Sequence, residues 1–393
     1  MRPQAQIMNI GFDAKRYFHN HTGLGNYSRT LVKGLAQYFP ENEYFLFNTK
    51  PSKRIQKENN PHVHEVLPNG FLDSKLSSLW RSSGVKKDLK KWNIDLYHGL
   101  SHEIPVGIHR TRIKSVVTIH DLIFERYPEQ FGKLNVQIYR KKFTYACEHA
   151  DRIIAISEQT KQDIVERYQT DPSKIDICYQ SCNPAFGDVI PDEVKEHVRK
   201  KYHLPPAFFL YVGSIIERKN LLNICKALKQ LQGTLNKPLV VIGGGRGYKE
   251  KVQQYIATNG LQEQVIFLND MPAAKNDPAF QEPATFAAIY QMAMAMIYPS
   301  YFEGFGIPVL EALWSRLPVI TSNVSCMPET GGPGAYYVNP DKPEEIAAGM
   351  LAIYNNDDLR TKMVTDGWAH AQNFTLEKSA ASVMNVYQKL IHG

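Results

Sequence analysis

The stretch from Ala293 to Leu313 narrows the choice of fold more than any other. An apolar run ending at Tyr298 is strand-sized, and the chain then passes through Glu303-Gly-Phe-Gly306 to Ile307-Pro308-Val-Leu-Glu311. Pro308 suits the first turn of a helix, where its missing N–H would have had no partner. A buried strand that runs through glycines into a helix is the building unit of parallel α/β sheets. The helix expected from Ile307 begins with unpaired N–H groups and a positive dipole end, which together make an anion site flanked by Glu303 and Glu311. Carboxylates beside a phosphate site accept hydroxyl groups, so a pocket for a nucleotide-sugar fits this pattern better than one for bare phosphate.

At 393 residues the chain is too long for one core, and two domains of about 150–200 residues are expected. The boundaries are placed at 1–187, 188–374 and a closing helix over 375–393, with a linker near 184–204 where Pro205 and Pro206 stop a charged helix. No apolar run approaches the ~20 residues of a membrane span, and the first residues lead into a strand without a signal-peptide core, which argues for the cytoplasm. Five cysteines with no C-x-x-C pair suggest neither a disulfide framework nor a zinc site. The net charge of +7 is unevenly placed: 27 Lys+Arg stand against 20 Asp+Glu up to residue 190, and 19 against 19 beyond it. A basic first half points to an anionic neighbour, such as a membrane surface met peripherally at the inner face or a lipid-phosphate acceptor. Nucleic acid is not indicated, since no motif interleaves the basic residues with aromatics.

Along the first half, Ile7–Asp13 reads as a strand, Gly23-Leu-Gly25-Asn26 as a glycine loop, and Tyr27–Tyr38 as a helix. The loop has two of the three glycines of a dinucleotide fingerprint and no partner acid, so it is a weak NAD signal and equally a plain tight turn. Residues 73–92 form a basic amphipathic segment with Leu76, Leu79, Trp80, Leu89 and Trp92 on a candidate stripe and Lys86, Lys87, Lys90 and Lys91 opposite. It reads either as a helix packed on its own sheet or as a membrane-surface helix. Apolar strands end at His98-Gly99 and at His120-Asp121, which places both histidines at the carboxyl edge where functional groups of parallel sheets collect. Ser157 is placed to cap the helix that follows it.

In the second half, Phe208-Phe-Leu-Tyr-Val-Gly213-Ser214 is a buried strand leading to Arg218-Lys219-Asn220 and a helix. A basic pair in such a turn, with Asn220 as N-cap, suits a diphosphate, although an isolated Arg-Lys pair is usually solvated. Leu239–Ile242 runs into Gly243-Gly244-Gly, either a loop lying against a nucleotide or a plain turn, and Val265–Leu268 is the next strand, leading to Asn269 and Met271. Residues 272–285 look like a proline-rich insertion without an evident purpose, and Thr375 is placed to cap a last helix.

The spacing Glu303-x7-Glu311, with Tyr298-Pro-Ser before it and Glu-Ala-Leu after it, resembles the signature of retaining glycosyltransferases of the GT-B fold, most closely family 4 and its mannosyltransferases. The resemblance spans the chain and is most specific at 118–125, 208–225 and 296–330. It implies an α/β GT-B architecture, two Rossmann-like doubly wound domains with an interdomain cleft, the last helix crossing back to the N-terminal domain. The implied activity is transfer of a hexose, mannose first and glucose second, from a nucleoside-diphosphate sugar to a saccharide or lipid-linked glycan in surface polysaccharide assembly. His120, in a His-Asp-Leu turn, would reach the donor sugar near its reacting carbon. Glu303 would hold the sugar hydroxyls and Glu311 the ribose. Arg218 and Lys219 would clamp the diphosphate, helped by the helix start at Gly304, Phe305, Gly306 and Ile307. Gly23, Gly25 and Asn26 would face the diphosphate or the acceptor, Gly213, Ser214, Gly243 and Gly244 the nucleotide, and Met271 the base. Ser214 departs from the pattern, since many relatives carry Arg there.

No Asp-x-Asp motif occurs, so the resemblance implies a reaction without metal or cofactor, the departing phosphate taking the acceptor's proton in a front-face attack. The alternatives are an NAD-linked oxidoreductase, which calls for an acidic residue about 20 positions past the glycine loop, a nucleotide-sugar-binding protein without turnover, and a nucleotide-sugar epimerase.

Overall fold

The computed structural model describes residues 7–70 and 75–392. The chain divides into two compact units, one of residues up to Ser181 together with the segment from Phe374 onward, the other Cys182–Asn373.

The first unit holds a parallel sheet of seven strands: β1 (Asn9–Asp13), β2 (Glu43–Phe47), β3 (Val63–Val66), β4 (Leu96–Gly99), β5 (Lys114–Ile119), β6 (Arg152–Ala155) and β7 (Ile175–Ile177), in the order β3-β2-β1-β4-β5-β6-β7. Helices cover both faces, so central strands are buried along their length, as at β4 and all of β5 after Lys114. One face packs Phe12, Leu31, Leu35 and Val383, the other Phe47, Leu89, Ile119 and Phe143. The closing helix, Leu376–His392, belongs to this unit, and Thr375 Oγ1 accepts from Lys378 N–H at 3.1 Å, the expected cap. Gly34 permits the approach of that helix, because a Cβ there would stand 2.9 Å from Leu376 Cδ1. Ser157 Oγ accepts from Thr160 N–H at 3.1 Å, also as expected.

Two first-half expectations change. The helix assigned to Tyr27–Tyr38 starts at Gly23, so Gly23, Gly25 and Asn26 are its first turn and not a loop. The reason is a local cap: Asn20 Oδ1 accepts from Thr22 N–H at 2.9 Å and Gly25 N–H at 3.1 Å, supplying acceptors that the helix start otherwise lacks. In the basic segment, residues 73 and 74 lie outside the described residues, and the remainder breaks into Ser77–Leu79, a π-turn at Trp80–Gly84 and Lys86–Lys91. No single stripe forms: Trp80 and Leu89 are buried, whereas Leu76, Leu79 and Trp92 are 53%, 60% and 39% exposed. Trp80 Nε1–H donates to Asp88 at 2.7 Å, which anchors the bend.

The second unit is a six-stranded parallel sheet of β8 (Phe209–Val212), β9 (Leu239–Ile242), β10 (Val265–Phe267), β11 (Ala295–Tyr298), β12 (Val319–Ser322) and β13 (Ala335–Val338), ordered β10-β9-β8-β11-β12-β13. Every residue of β8, β9, β11 and β12 is buried. The winding reverses between β8 and β11, the point at which doubly wound sheets open a crevice at their carboxyl edge.

The stretch 272–285 has a packing role. It forms two short helical turns, Pro272–Lys275 and Pro278–Gln281, each with proline in its first turn. Phe280 is 2% exposed and sits edge-on to Tyr202 at 5.2 Å, and Asp277 accepts from Tyr202 Oη–H at 2.5 Å and pairs with Lys201 at 2.6 Å. The insertion thus covers the end of the helix Asp192–Lys201. Among the described residues no helix is long and apolar enough to cross a membrane.

Candidate active site

The second unit gathers its functional side chains where β8 and β11 end. After β8 the chain turns through Gly213 and Ser214 into a 3-10 turn, Glu217–Lys219, and Arg218 O accepts from Tyr301 N–H at 2.9 Å, which ties that turn to the end of β11. Asn220 does not cap the next helix through its side chain, as the sequence suggests. It adopts a left-handed φ of +60°, and its amide donates to Pro299 O at 3.1 Å and Pro340 O at 2.7 Å, locking three turns together.

Glu303 is the hub. Its Oε1 lies 2.9 Å from Arg218 Nη1 and 3.1 Å from Lys219 Nζ, and accepts from Tyr298 Oη–H at 3.0 Å and Ser300 Oγ–H at 3.1 Å. Lys219 Nζ also donates to Tyr298 Oη, and Arg218 to Phe302 O. The side chains of Arg218, Lys219 and Glu303 are 7%, 12% and 11% exposed, so these charges are held in a low-dielectric setting where pairing governs ionisation. Burial alone would push the Glu303 carboxyl up, but Lys219 and Arg218 outweigh it and bring it down to about 2. Burial also pulls the Lys219 ammonium below its usual range, and the Glu303 charge opposes that shift. Every ion pair and hydrogen bond of the Glu303 carboxylate falls on Oε1; among the described residues Oε2 has none. The arrangement therefore offers one carboxylate oxygen as an acceptor beside two cations.

The backbone around Glu303 is equally fixed. Ser325 Oγ–H donates to Glu303 O at 2.9 Å and Cys326 Sγ–H to the same oxygen at 3.1 Å. Gly306 precedes the helix Ile307–Trp314 with φ +90°, and a Cβ there would meet Met327 Cε at 2.4 Å, so only glycine allows this entry. The helix starts at Ile307 with Pro308 in its first turn, as expected. Phe305 is 2% exposed, so its ring is buried.

Glu311 lies one turn into that helix and accepts from Tyr290 Oη–H at 2.9 Å through Oε2, while Oε1 has no partner among the described residues. Burial raises its carboxyl to about 7, with the Tyr290 hydrogen bond and Lys219 only partly opposing. If a nucleotide's hydroxyl donates to Glu311, it favours the ionised form, and nucleotide affinity is then expected to rise as pH passes upward through about 7 and to level off. In the free protein the sign is opposite: the folded state holds a proton that the unfolded chain has lost above 4.5, so this residue's contribution to stability declines between 4.5 and about 7. Titrating nucleotide binding for the parent and for Glu311→Gln checks the first statement, since the variant should lose this part of the pH dependence.

The glycine loops stack. Gly243 has φ +152° and a Cβ there would lie 1.9 Å from Gly213 O, whereas a Cβ on Gly244 would meet nothing within 4 Å. Gly243→Ala is therefore expected to destabilise the protein by more than about 2 kcal/mol, whereas Gly244→Ala should melt like the parent. If the loop lies against the donor, Gly244→Ala raises its KM, which thermal melts and donor kinetics together would read. Gly213 leaves room for Lys219, whose Nζ is 3.2 Å from the position of a Cβ. Ser214 is exposed, and Met271 is partly exposed just before Pro272–Lys275.

The remaining candidates are in the first unit. His120 is 4% exposed, its Nε2–H donates to Leu100 O at 2.9 Å, and the Tyr27 ring stands edge-on at 4.5 Å. Burial depresses its pKa to about 4, so near neutrality it is an uncharged imidazole with the proton on Nε2. His98 is a core residue, bonded to Tyr387 Oη at 2.6 Å and Thr118 Oγ1 at 2.7 Å. Gly25 is required by packing, since a Cβ would stand 1.9 Å from Asn20 O, and Asn26 Oδ1 accepts from Arg29 at 2.6 Å; Gly23 is unencumbered. Sequence reasoning quoted Tyr298 and Ser300 within the motif but gave no site role to them, nor to Ser325 or Tyr290. Tyr298 and Ser300 lie within five residues of Glu303 in the chain, a signal that was readable; Tyr290 and Ser325 come from other elements and gave none.

Comparison with known proteins places both units. Residues 21–186 match the Glycosyltransferase Family 4 model and residues 194–368 the Glycosyl transferases group 1 model. The O-antigen chain mannosyltransferase B of Escherichia coli is 27% identical over 98% of this chain and 100% of its own length. The O-antigen chain mannosyltransferase RfbU of Salmonella typhimurium is 31% identical over 64% of this chain and 63% of its own. The structure of Anabaena Alr3699/HepE in complex with UDP-glucose shares the fold, with a TM-score of 0.71 at 15% identity, covering 98% of this chain and all of that one. The two Rossmann-like units are those of the GT-B fold, and an NAD-linked reading leaves Glu303 and its two cations without a role.

Proposed function

We propose a donor, an acceptor class and a stereochemistry from one premise: the chain belongs to the glycosyltransferases, its two halves being members of Glycosyltransferase Family 4 and Glycosyl transferases group 1. It transfers mannose, or failing that glucose, from a nucleoside-diphosphate sugar to a saccharide or lipid-linked glycan in surface polysaccharide assembly, with retention of configuration. The observation that carries this reading is the convergence of Arg218 and Lys219 on one oxygen of Glu303 while the other stays available.

On this reading the diphosphate is held by Arg218, Lys219 and the start of the helix Ile307–Trp314, whose N–H groups favour anions. Glu303 Oε2 accepts from the sugar hydroxyls and Glu311 Oε1 from the ribose. His120 enters as a neutral hydrogen-bonding partner of the sugar, since a buried imidazole with a pKa near 4 does not supply a charge at neutral pH. As the sugar–phosphate bond lengthens, negative charge grows on the diphosphate, and two fixed cations stabilise it without reorganisation. The same charge lets the departing phosphate oxygen accept the acceptor's proton, so no carboxylate is needed as general base, and attack by the acceptor on the face the phosphate leaves needs no carboxylate nucleophile. The positive charge already present replaces a divalent cation, and a chelator is expected to leave the initial rate unchanged. Support for mannose and for a polysaccharide acceptor comes from the two relatives named O-antigen chain mannosyltransferases.

The test is transfer by the purified chain from GDP-mannose and from UDP-glucose, each with a mannose-ended saccharide and a lipid-linked one. Mannose in the product with its donor anomeric configuration, seen by NMR, supports the proposal. Transfer from neither donor, or inversion, removes it.

A further inference from the structure

A second set of cations in the first unit lies outside every role described above. Lys86, Lys87 and Lys90 on the turn-and-helix before β4, His109 and Arg110 on the connection to β5, and His149 at the end of the helix Lys133–His149 line one cleft of about 560 Å³. No carboxylate lines it. Elsewhere in this unit three half-buried arginines are matched by acids, in Arg81–Asp13, Arg126–Asp163 and Arg152–Asp176. Among the described residues the side chains of Lys87, Lys90 and Arg110 make no ion pair and no hydrogen bond. The nearby acids are engaged otherwise: Asp88 accepts from Trp80, Asp151 from Ser115, and only Glu148 approaches His149, at 3.8 Å.

The cleft is also shaped. Lys86 Nζ donates to Val106 O at 2.6 Å, and it fits there because Gly107 has no Cβ, which would stand 2.9 Å from that nitrogen. Tyr145 Oη accepts from Gly107 N–H at 2.5 Å and lies 3.3 Å from His109 Nδ1, within reach to donate to it and leave the Nε2 proton free. The His109 and His149 rings stack at 4.2 Å and 14°. Desolvation, and after it the neighbouring His149 ring, hold the His109 imidazole below its usual pKa, and an anion in the cleft would oppose that shift.

We propose that this cleft binds a phosphate or diphosphate group, separately from the nucleotide-sugar site of the second unit. Several cations lining one cleft without a carboxylate match a multivalent anion better than a lone carboxylate, and both lysine and arginine are phosphate ligands. Such a group is carried equally by a soluble phosphorylated ligand and by a lipid headgroup, and the experiment separates them.

The histidine resonances of the full chain are followed by NMR during titration with inorganic diphosphate, and separately with vesicles of phosphatidylglycerol, the nucleotide site being kept filled with GDP in both. The proposal expects saturable shifts of His109 and His149. It also expects binding weakened about tenfold or more in each of Lys87→Glu and Arg110→Glu, exposed positions whose change leaves the fold intact. Shifts with free diphosphate identify a soluble phosphate source, and shifts with vesicles alone identify the headgroup. No shift with either probe, or shifts that both charge reversals leave unchanged, overturns the assignment. Sugar transfer without an acceptor phosphate is expected to be unaffected by either variant, which keeps this site distinct from the Glu303 centre.

Discussion

Replacing Lys219 by alanine is expected to lower sugar transfer by about 100-fold or more, the scale for removing one positioned electrostatic group from a reaction centre. The ammonium is 12% exposed and bonded to Glu303 and Tyr298, so its field acts in a region that water screens little. Charge on the diphosphate is larger in the transition state than in the bound donor, which puts the loss mainly in kcat and less in KM. Lys219→Arg is not expected to restore the parent rate, because the stem already packs against Gly213, with Lys219 Cδ 3.2 Å from a Cβ position there, and a planar guanidinium does not follow the same path. Removing the lysine leaves Glu303 with Arg218 as its single cation, so melting curves must accompany the kinetics. A folded Lys219→Ala protein that transfers at the parent rate would end the diphosphate-clamp assignment.

The part of this site that follows local chemistry was readable in the chain. Strand, glycine turn, proline-started helix and basic pair are each determined within a few residues, and Ile307, Pro308, Arg218 and Lys219 stand where those rules place them. What the sequence left out are distances between elements. Nothing in the letters says that Arg218 and Lys219 meet on the same oxygen of Glu303, 85 and 84 residues further along the chain, or that Tyr290 reaches Glu311. The glycines show the same division. Gly306 could be read as a turn glycine, but Gly25 looked like a ligand loop and is a helix residue pressed on Asn20, because the cap that draws the helix back to Gly23 comes from a side chain upstream. Asn220 failed as a cap for a related reason: its side-chain NH2 donates to two carbonyls from distant turns, and its oxygen accepts from no N–H of the helix. The apolar stripe over 76–92 was a pattern of composition that the π-turn at Trp80–Gly84 divides between core and surface.

Glu303→Gln is the sharper test of the centre, because its effects on binding and on transfer are expected to have opposite signs. In the free protein the carboxylate neutralises one of the two charges that a diphosphate needs, and an amide of the same shape releases both Arg218 and Lys219. Nucleoside diphosphate should therefore bind more tightly to the variant. Transfer should nonetheless fall by about 100-fold, since the amide can offer its single oxygen to the cations or to the sugar hydroxyls but not to both. A carboxylate meets both demands with Oε1 and Oε2. Were Glu303 only a counter-ion that keeps two buried cations in place, the substitution would lower the melting temperature, and transfer would track the folded fraction with no gain in nucleotide affinity. Isothermal titration with GDP and single-turnover transfer on the same preparation separate the two cases, and tighter binding with slower chemistry is the result that places Glu303 on the sugar.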